Sequence, residues 1–170
     1  MCSKSCTDTV YLVRYRQIYL MHVSAIMIVV STGLLIYWFR YSCRLILSAK
    51  PARDYTEEVA AANELRFLEI QQDLPFVRGR RQLDSLQKSL ERDYRVLSFL
   101  LRHTAALHAE TDFLEQSMLM LHFNLMKTYY ALVCAISQSK GRRAIQEMVK
   151  VVSHFANCMG ERGAAAAVAH

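Results

Sequence analysis

The sequence predicts an all-α protein, in which a single N-terminal transmembrane helix precedes long helices that form a coiled coil or a bundle. Its 170 residues include only five glycines and two prolines, too few for the many turns of a β-sandwich or a β-barrel. A run of 23 residues near the N-terminus carries no charge, and the stretch from Arg81 to Lys140 contains neither glycine nor proline. With 53% hydrophobic and 21% charged residues, the chain is not a disordered polyelectrolyte.

The uncharged run covers residues 17–39, and we interpret it as the transmembrane helix. At 1.5 Å per residue it spans about 35 Å, which is enough for a hydrocarbon core of about 30 Å. Aromatic side chains lie near both ends of the run, as in an interfacial belt, and arginines flank it on both sides. A cleaved signal peptide fits less well, because the apolar region is too long and no small-residue cleavage site follows it.

The segments on either side of this helix predict its orientation. A short basic tail, residues 1–16, precedes it, and a basic juxtamembrane segment, residues 40–53, follows it. The slight excess of basic residues after the helix, the lack of an Asn-x-Ser/Thr sequon and the five scattered cysteines favour a cytosolic location for the C-terminal part. The organelle stays open between the endomembrane system or plasma membrane and a mitochondrial membrane. Cys43, just beyond the helix, is a candidate for lipidation.

A helical domain is predicted over residues 54–159. Its first helix is expected to run from about residue 54 to residue 74, because acidic residues lie in the first turns and Pro75 follows the last one. The Ala-rich tail, residues 160–170, is expected to be flexible.

The last helix of this domain is expected to run from Arg142 to Cys158, with Gly160 and Gly163 stopping it. Apolar residues at helical spacing predict the face that it buries. That stripe consists of Ile145, Met148, Val149, Val152 and Phe155.

The middle of the domain carries a heptad-like pattern. Alternating steps of three and four residues from Leu83 land mostly on leucine as far as Ala135, and we interpret these positions as a seam through which helices pair. The seam consists of Leu83, Leu86, Leu90, Leu97, Leu100, Leu107, Leu114, Met118, Leu121, Leu125 and Leu132. Other faces of the same stretch are also apolar, so a bundle with several neighbours fits better than a two-stranded zipper.

Residues 81–140 fit two geometries. One is a continuous helix of about 85 Å; the other is a hairpin that turns near residues 104–111, where Thr111 can cap a new helix. We favour the unbroken helix, because the alanines in the turn region are strong helix formers. In a hairpin, the basic clusters at residues 78–81 and 140–143 would lie at the same end and form one anion-binding patch.

Basic residues near the membrane and at helix boundaries are candidates for contact with anionic lipid headgroups, because each gains about 1 kcal/mol beside an anionic membrane. These residues are Arg40, Arg44, Lys50, Arg78, Arg80, Arg81, Lys140, Arg142 and Arg143. The net charge of +6 is modest and aromatic residues are not interleaved with the clusters, so we expect no nucleic-acid partner.

No catalytic residue, cofactor, metal site or small-molecule substrate is predicted. The sequence contains no glycine-rich phosphate loop, nucleophile elbow or paired CxxC motif. His154 and Cys158 lie four residues apart on one helix, but a zinc site needs a second pair of ligands.

The predicted function is that of a non-enzymatic, membrane-anchored scaffold or adaptor. It contacts membrane lipids and binds, through the seam, either helical proteins or further copies of itself. One alternative is an accessory subunit of an organellar membrane complex. Another is a two-span channel or transporter-like subunit, in which residues 119–136 also cross the membrane and Lys127 is a functional group.

Overall fold

The computed structural model describes residues 4–49, 53–104 and 110–168. These residues form six α-helices and no strand, which confirms the all-α prediction. The helices are α1 (Lys4–Ser48), α2 (Thr56–Ala62), α3 (Phe67–Asp73), α4 (Arg80–Thr104), α5 (Glu110–Val133) and α6 (Gln138–Val168). The chain divides into two compact units, Met1–Ser42 and Cys43–His170.

The first unit consists mainly of α1. Within the described residues, Tyr19–Ser48 is the one helical stretch that is long and apolar enough to cross a membrane. All side chains from Tyr19 to Trp38 are exposed. The 30 residues of this stretch extend about 45 Å, which is more than a hydrocarbon core of about 30 Å requires. α1 ends at Ser48, so the helix continues past the predicted end of the transmembrane segment at residue 39 and includes Arg40 and Arg44.

In the second unit, α4 and α5 run antiparallel. Lys127 Nζ of α5 donates to Glu91 Oε1 of α4 at 2.7 Å, and the rings of Tyr94 and Phe123 stack with their centroids 3.8 Å apart. As residue numbers rise along α4, the contacting residue numbers fall along α5, which defines the antiparallel arrangement.

The preferred unbroken helix over residues 81–140 is therefore wrong, and the hairpin is the arrangement found. α4 ends at Thr104 and α5 begins at Glu110; residues 105–109 lie outside the described residues. Both helices bury apolar side chains in one core with α6, whereas a rod would leave these faces in water. Burial of apolar surface explains why the antiparallel packing of α4 and α5 is favoured over a rod.

The third long helix, α6, packs against both arms of the hairpin. It runs parallel to α4, since Phe155 lies 6.1 Å from Tyr94 between ring centroids and Arg162 donates to the carbonyl of Leu101 at 3.4 Å. The apolar stripe predicted for this helix is confirmed as its core face. Its five residues Ile145, Met148, Val149, Val152 and Phe155 are all buried.

The single helix predicted over residues 54–74 is two helices in the structure. α2 ends in a Schellman motif, in which the Leu65 amide donates to the Ala60 carbonyl at 2.9 Å. The motif requires a left-handed residue, and Glu64 adopts this conformation with φ 52°. The chain direction therefore changes between α2 and α3, and both helices pack against α6.

α6 also continues beyond its predicted end at Cys158. Gly160 is inside the helix, where a Cβ would overlap the side chain of Tyr55. The Tyr55 amide donates to Asn157 Oδ1 at 2.8 Å, so the segment before α2 docks directly on α6. The stretch predicted as a tail, residues 160–170, thus belongs to α6 as far as Val168.

Candidate interaction surfaces

The predicted leucine seam is divided between the core and the surface of the second unit. On α4, Leu83, Leu90 and Leu97 are buried, and Leu86 and Leu100 are half-buried. On α5, Leu114, Leu121, Leu125 and Leu132 are exposed, and Met118 is half-buried. Leu107 lies outside the described residues. The α4 part of the seam therefore contributes to the chain's own core, and a continuous surface seam is not formed.

α5 packs against α6 through the face opposite its seam positions. The buried apolar residues of α5 are Leu119, Phe123, Met126 and Tyr130. These residues recur at helical spacing, as the seam residues do, so α5 has apolar residues on two opposite faces. The seam frame on α5 followed from extending the α4 pattern through an unbroken helix, and the hairpin turn removes that continuity.

The exposed seam residues of α5 form one apolar strip, which we call the α5 face: Leu114, Leu121, Leu125 and Leu132. Their exposed fractions are 68%, 59%, 41% and 68%, in the order given. The charged side chains of Glu115 and Lys127 bond to other helices, to His154 and Glu91. The α5 face is thus an uncharged strip of leucines at heptad spacing.

Lys127 has a structural partner in the bundle. Its ammonium group donates to Glu91, and this hydrogen bond lowers the pKa of the Glu91 carboxyl. Among the described residues, Tyr19–Ser48 is long and apolar enough to cross a membrane, whereas α5 does not meet this criterion. Lys127 therefore links α4 to α5 rather than standing alone in an apolar helix.

The two basic clusters lie at one end of the bundle, which we call the basic end: Arg78, Arg80, Arg81, Lys140, Arg142 and Arg143. Tyr130 lies between them, because its hydroxyl donates to Asp84 Oδ1 of α4 at 2.7 Å, and a Cβ on Gly141 of α6 would lie 3.5 Å from its ring. Burial and the bond to Asp84 raise the pKa of the Tyr130 hydroxyl, and the positive charge of Arg80 partly opposes that rise.

The predicted juxtamembrane candidates differ in exposure. Arg44 is exposed and Arg40 is half-exposed, while Lys50 lies outside the described residues. Cys43 is fully buried, and its thiol donates to the Met118 carbonyl at 4.0 Å. In this conformation the thiol is not exposed to solvent, and the lipidation of Cys43 stays a prediction.

A cleft of about 1010 Å³ runs along α6, between α5 on one side and α2 and α3 on the other. In it, His154 Nε2 lies 3.0 Å from Glu115 Oε1 and 3.5 Å from Cys158 Sγ. Both contacts use the same ring nitrogen, which is not the arrangement of a relay from acid through histidine to thiol. Among the described residues, no three His, Cys, Asp or Glu side chains are arranged so that they could hold a metal ion.

No protein-family model, curated protein or solved structure matches this chain.

Proposed function

We propose that this protein is a membrane-anchored helical scaffold that pairs with a second copy of itself through the α5 face. Residues 17–39 form the anchor, and the second unit supplies the pairing surface. The proposal assigns no catalytic reaction to the chain. The observation that carries it is the uncharged strip of exposed leucines at heptad spacing on α5.

Exposed apolar surface of this kind is unfavourable in water. Each leucine of the α5 face leaves between 41% and 68% of its surface exposed, and burial is worth about 25 cal/mol per Å². Contiguous apolar strips on a folded protein mark contact sites. A partner that covers the α5 face therefore gains free energy without disturbing the core, which lies on the opposite side of the same helix.

A second copy suits this strip better than a charged partner. The spacing is symmetric about residue 123, so an antiparallel α5 helix would place Leu114 opposite Leu132 and Leu121 opposite Leu125. A specific interface buries about 800 Å² on each partner. The α5 face and its exposed neighbours Phe113 and Tyr129 supply much of the apolar area that such an interface needs.

The anchor supports the same function. The side chains of Tyr19–Trp38 are exposed, mostly apolar and uncharged, and a lipid environment is favourable for such a helix. Confinement of two copies to one membrane raises their effective concentration, which favours pairing through a surface of modest size.

The test is the molar mass of the full-length chain in mild detergent, measured by light scattering. We expect a dimer for the parent chain and a monomer for the variant with Leu121→Glu and Leu132→Glu. The matched control is Phe99→Glu, because Phe99 is 60% exposed on α4 and lies outside the α5 face. Circular dichroism should show equal helix content in all three proteins.

Two results would overturn self-pairing. The first is a parent chain that is monomeric in detergent but is cross-linked to a partner in native membranes, with the cross-link lost in the leucine variant. This result would mean that a different protein covers the α5 face. A dimer that persists in the leucine variant would mean that another surface, such as the membrane helix, makes the contact.

A further inference from the structure

The basic end combines two features that lie far apart in the sequence. The hairpin and α6 bring residues 78–81 and 140–143 together around Tyr130. Leu74 and Pro75 from one segment and Ser139, Arg142 and Arg143 from the other line the same shallow cleft of about 330 Å³. The two basic clusters thus lie at the same end of the bundle, and Arg142 and Arg143 border this cleft.

Within the described residues, the six cations of the basic end differ from several others in how they are paired. Elsewhere in the described residues, Arg53, Arg66, Arg95, Lys127 and Lys150 each lie within 4.0 Å of a carboxylate. No such ion pair involves a basic-end residue in the part of the chain that the structure describes. Asp84, which lies nearby, is bonded to Tyr130 instead. Like charges held together repel unless an external anion neutralises them.

The same end carries the two most exposed large hydrophobic side chains of the described residues. Phe76, in the turn before α4, is 84% exposed, and Ile136, in the turn before α6, is 85% exposed. Each sits in a closed turn, since the Phe76 amide donates to the Asp73 carbonyl and the Ile136 amide to the Val133 carbonyl, both at 2.9 Å. Exposed apolar turn residues at the same end as basic side chains suit an anionic membrane surface, in which headgroup phosphates lie outside the acyl chains.

We propose that the basic end docks on an anionic phospholipid surface, with its arginines and lysine on the headgroup phosphates and with Phe76 and Ile136 inserted at the acyl boundary. Arginine guanidinium groups suit phosphate because they form paired hydrogen bonds with it. The inference is independent of pairing through the α5 face, since no residue of that face takes part.

The chain contains one tryptophan, Trp38 of α1, which makes a direct optical test possible. In the full-length Trp38→Phe background, Phe76→Trp places the sole tryptophan at one turn tip. The protein is reconstituted into liposomes of phosphatidylcholine, with or without phosphatidylserine, that contain brominated acyl chains. We expect a blue shift and quenching of the emission with phosphatidylserine, and neither in neutral liposomes or at high salt.

Two charge variants of this reporter protein make the test specific. Arg142→Gln with Arg143→Gln should require at least tenfold more phosphatidylserine for half-maximal quenching, because two cations leave the surface. Lys88→Gln with Arg92→Gln removes the same charge from exposed positions of α4, about 12–18 Å further along the helix than Arg80. This control should change the requirement less than twofold.

Three results would overturn the proposal. Equal losses in the two variants would indicate diffuse attraction by net charge. Quenching in neutral liposomes would show that the basic residues are not the cause of insertion. A blue shift with soluble inositol hexakisphosphate or polyglutamate, without quenching in anionic liposomes, would assign the surface to a soluble anion or an acidic protein. Light scattering of the α5-face variant reports pairing separately.

Discussion

Single residues that break the local pattern explain how the short helices are held. Asp93 occupies a position of the leucine frame on α4, where a buried carboxylate would be unfavourable without a partner. It accepts the Arg66 amide at 2.8 Å and also bonds the Phe67 amide, so it caps the first turn of α3. Burial raises the pKa of the Asp93 carboxyl, and the two amides oppose that rise.

At the residue scale, Glu64→Gly should raise the free energy of unfolding by roughly 0.5–1 kcal/mol. Glu64 has φ 52°, and a left-handed conformation is costly for a residue with a Cβ but not for glycine. The measurement is urea unfolding of the detergent-solubilised chain, followed by circular dichroism. Ala61→Gly, at an exposed position within α2, is the control and should lower stability by about 1 kcal/mol. A loss in both variants would argue against the Schellman turn.

At the scale of elements, what separates α4 from α5 is the face that each one buries. α4 buries its leucine frame, including Leu90 and Leu97, whereas α5 buries Phe123 and Met126 and exposes its own frame. A charge at Leu90 would consequently disrupt the core, while a charge at Leu121 would change only the surface. The pairing experiment therefore introduces its charges at Leu121 and Leu132 of α5 and leaves the buried leucines of α4 unchanged.

The contact between α6 and the segment before α2 depends on Gly160. Gly160→Ala should lower the free energy of unfolding by about 1–3 kcal/mol, because the new Cβ would overlap Tyr55. Gly163→Ala on the same helix meets no atom within 4 Å and should raise it by roughly 0.5–1 kcal/mol. Thermal unfolding of the two variants tests this contrast. Stabilisation by both alanines would show that Tyr55 does not pack against α6.

The link between α4 and α5 should depend on pH through Glu91. Lys127 and the hydrogen bond it donates lower the pKa of the Glu91 carboxyl below its ordinary value of 4.5. A lowered pKa contributes stability above pH 4.5, and this contribution is lost as the pH falls through the folded-state value. Glu91→Gln should therefore cost about 0.5–1 kcal/mol at pH 7 and progressively less below pH 4.5.

The check is urea unfolding of the parent and the Glu91→Gln variant between pH 7 and pH 3. Lys127→Gln should give a profile of the same sign but smaller amplitude, because Glu91 keeps Arg95 at 3.4 Å, and the double variant should lose no more than Glu91→Gln alone. A difference that stays constant over this pH range would contradict the role given to the ion pair.

At the scale of the whole molecule, the division into two units predicts how the chain is retained in membranes. Deleting residues 17–39 should release the remaining chain from carbonate-washed membranes, because the described part of the second unit contains no further helix that is long and apolar enough to span. Docking of the basic end on lipid would not prevent release, since alkaline washing strips peripheral contacts. Retention in the pellet would favour a second crossing through residues 119–136. The parent chain is the control and should stay in the pellet.

Periodicity, charge-free length and the scarcity of glycine and proline are local properties, and they were enough to predict the helical class, the long apolar helix and the buried stripe of α6 from Ile145 to Phe155. The hairpin turn, the inward face of α5 and the gathering of residues 78–81 with 140–143 depend on contacts between distant segments. A helical pattern defines faces on its own helix but not the neighbour that covers them. Because α5 is apolar on both sides, only packing against α6 could determine that Phe123 points inward and Leu121 outward.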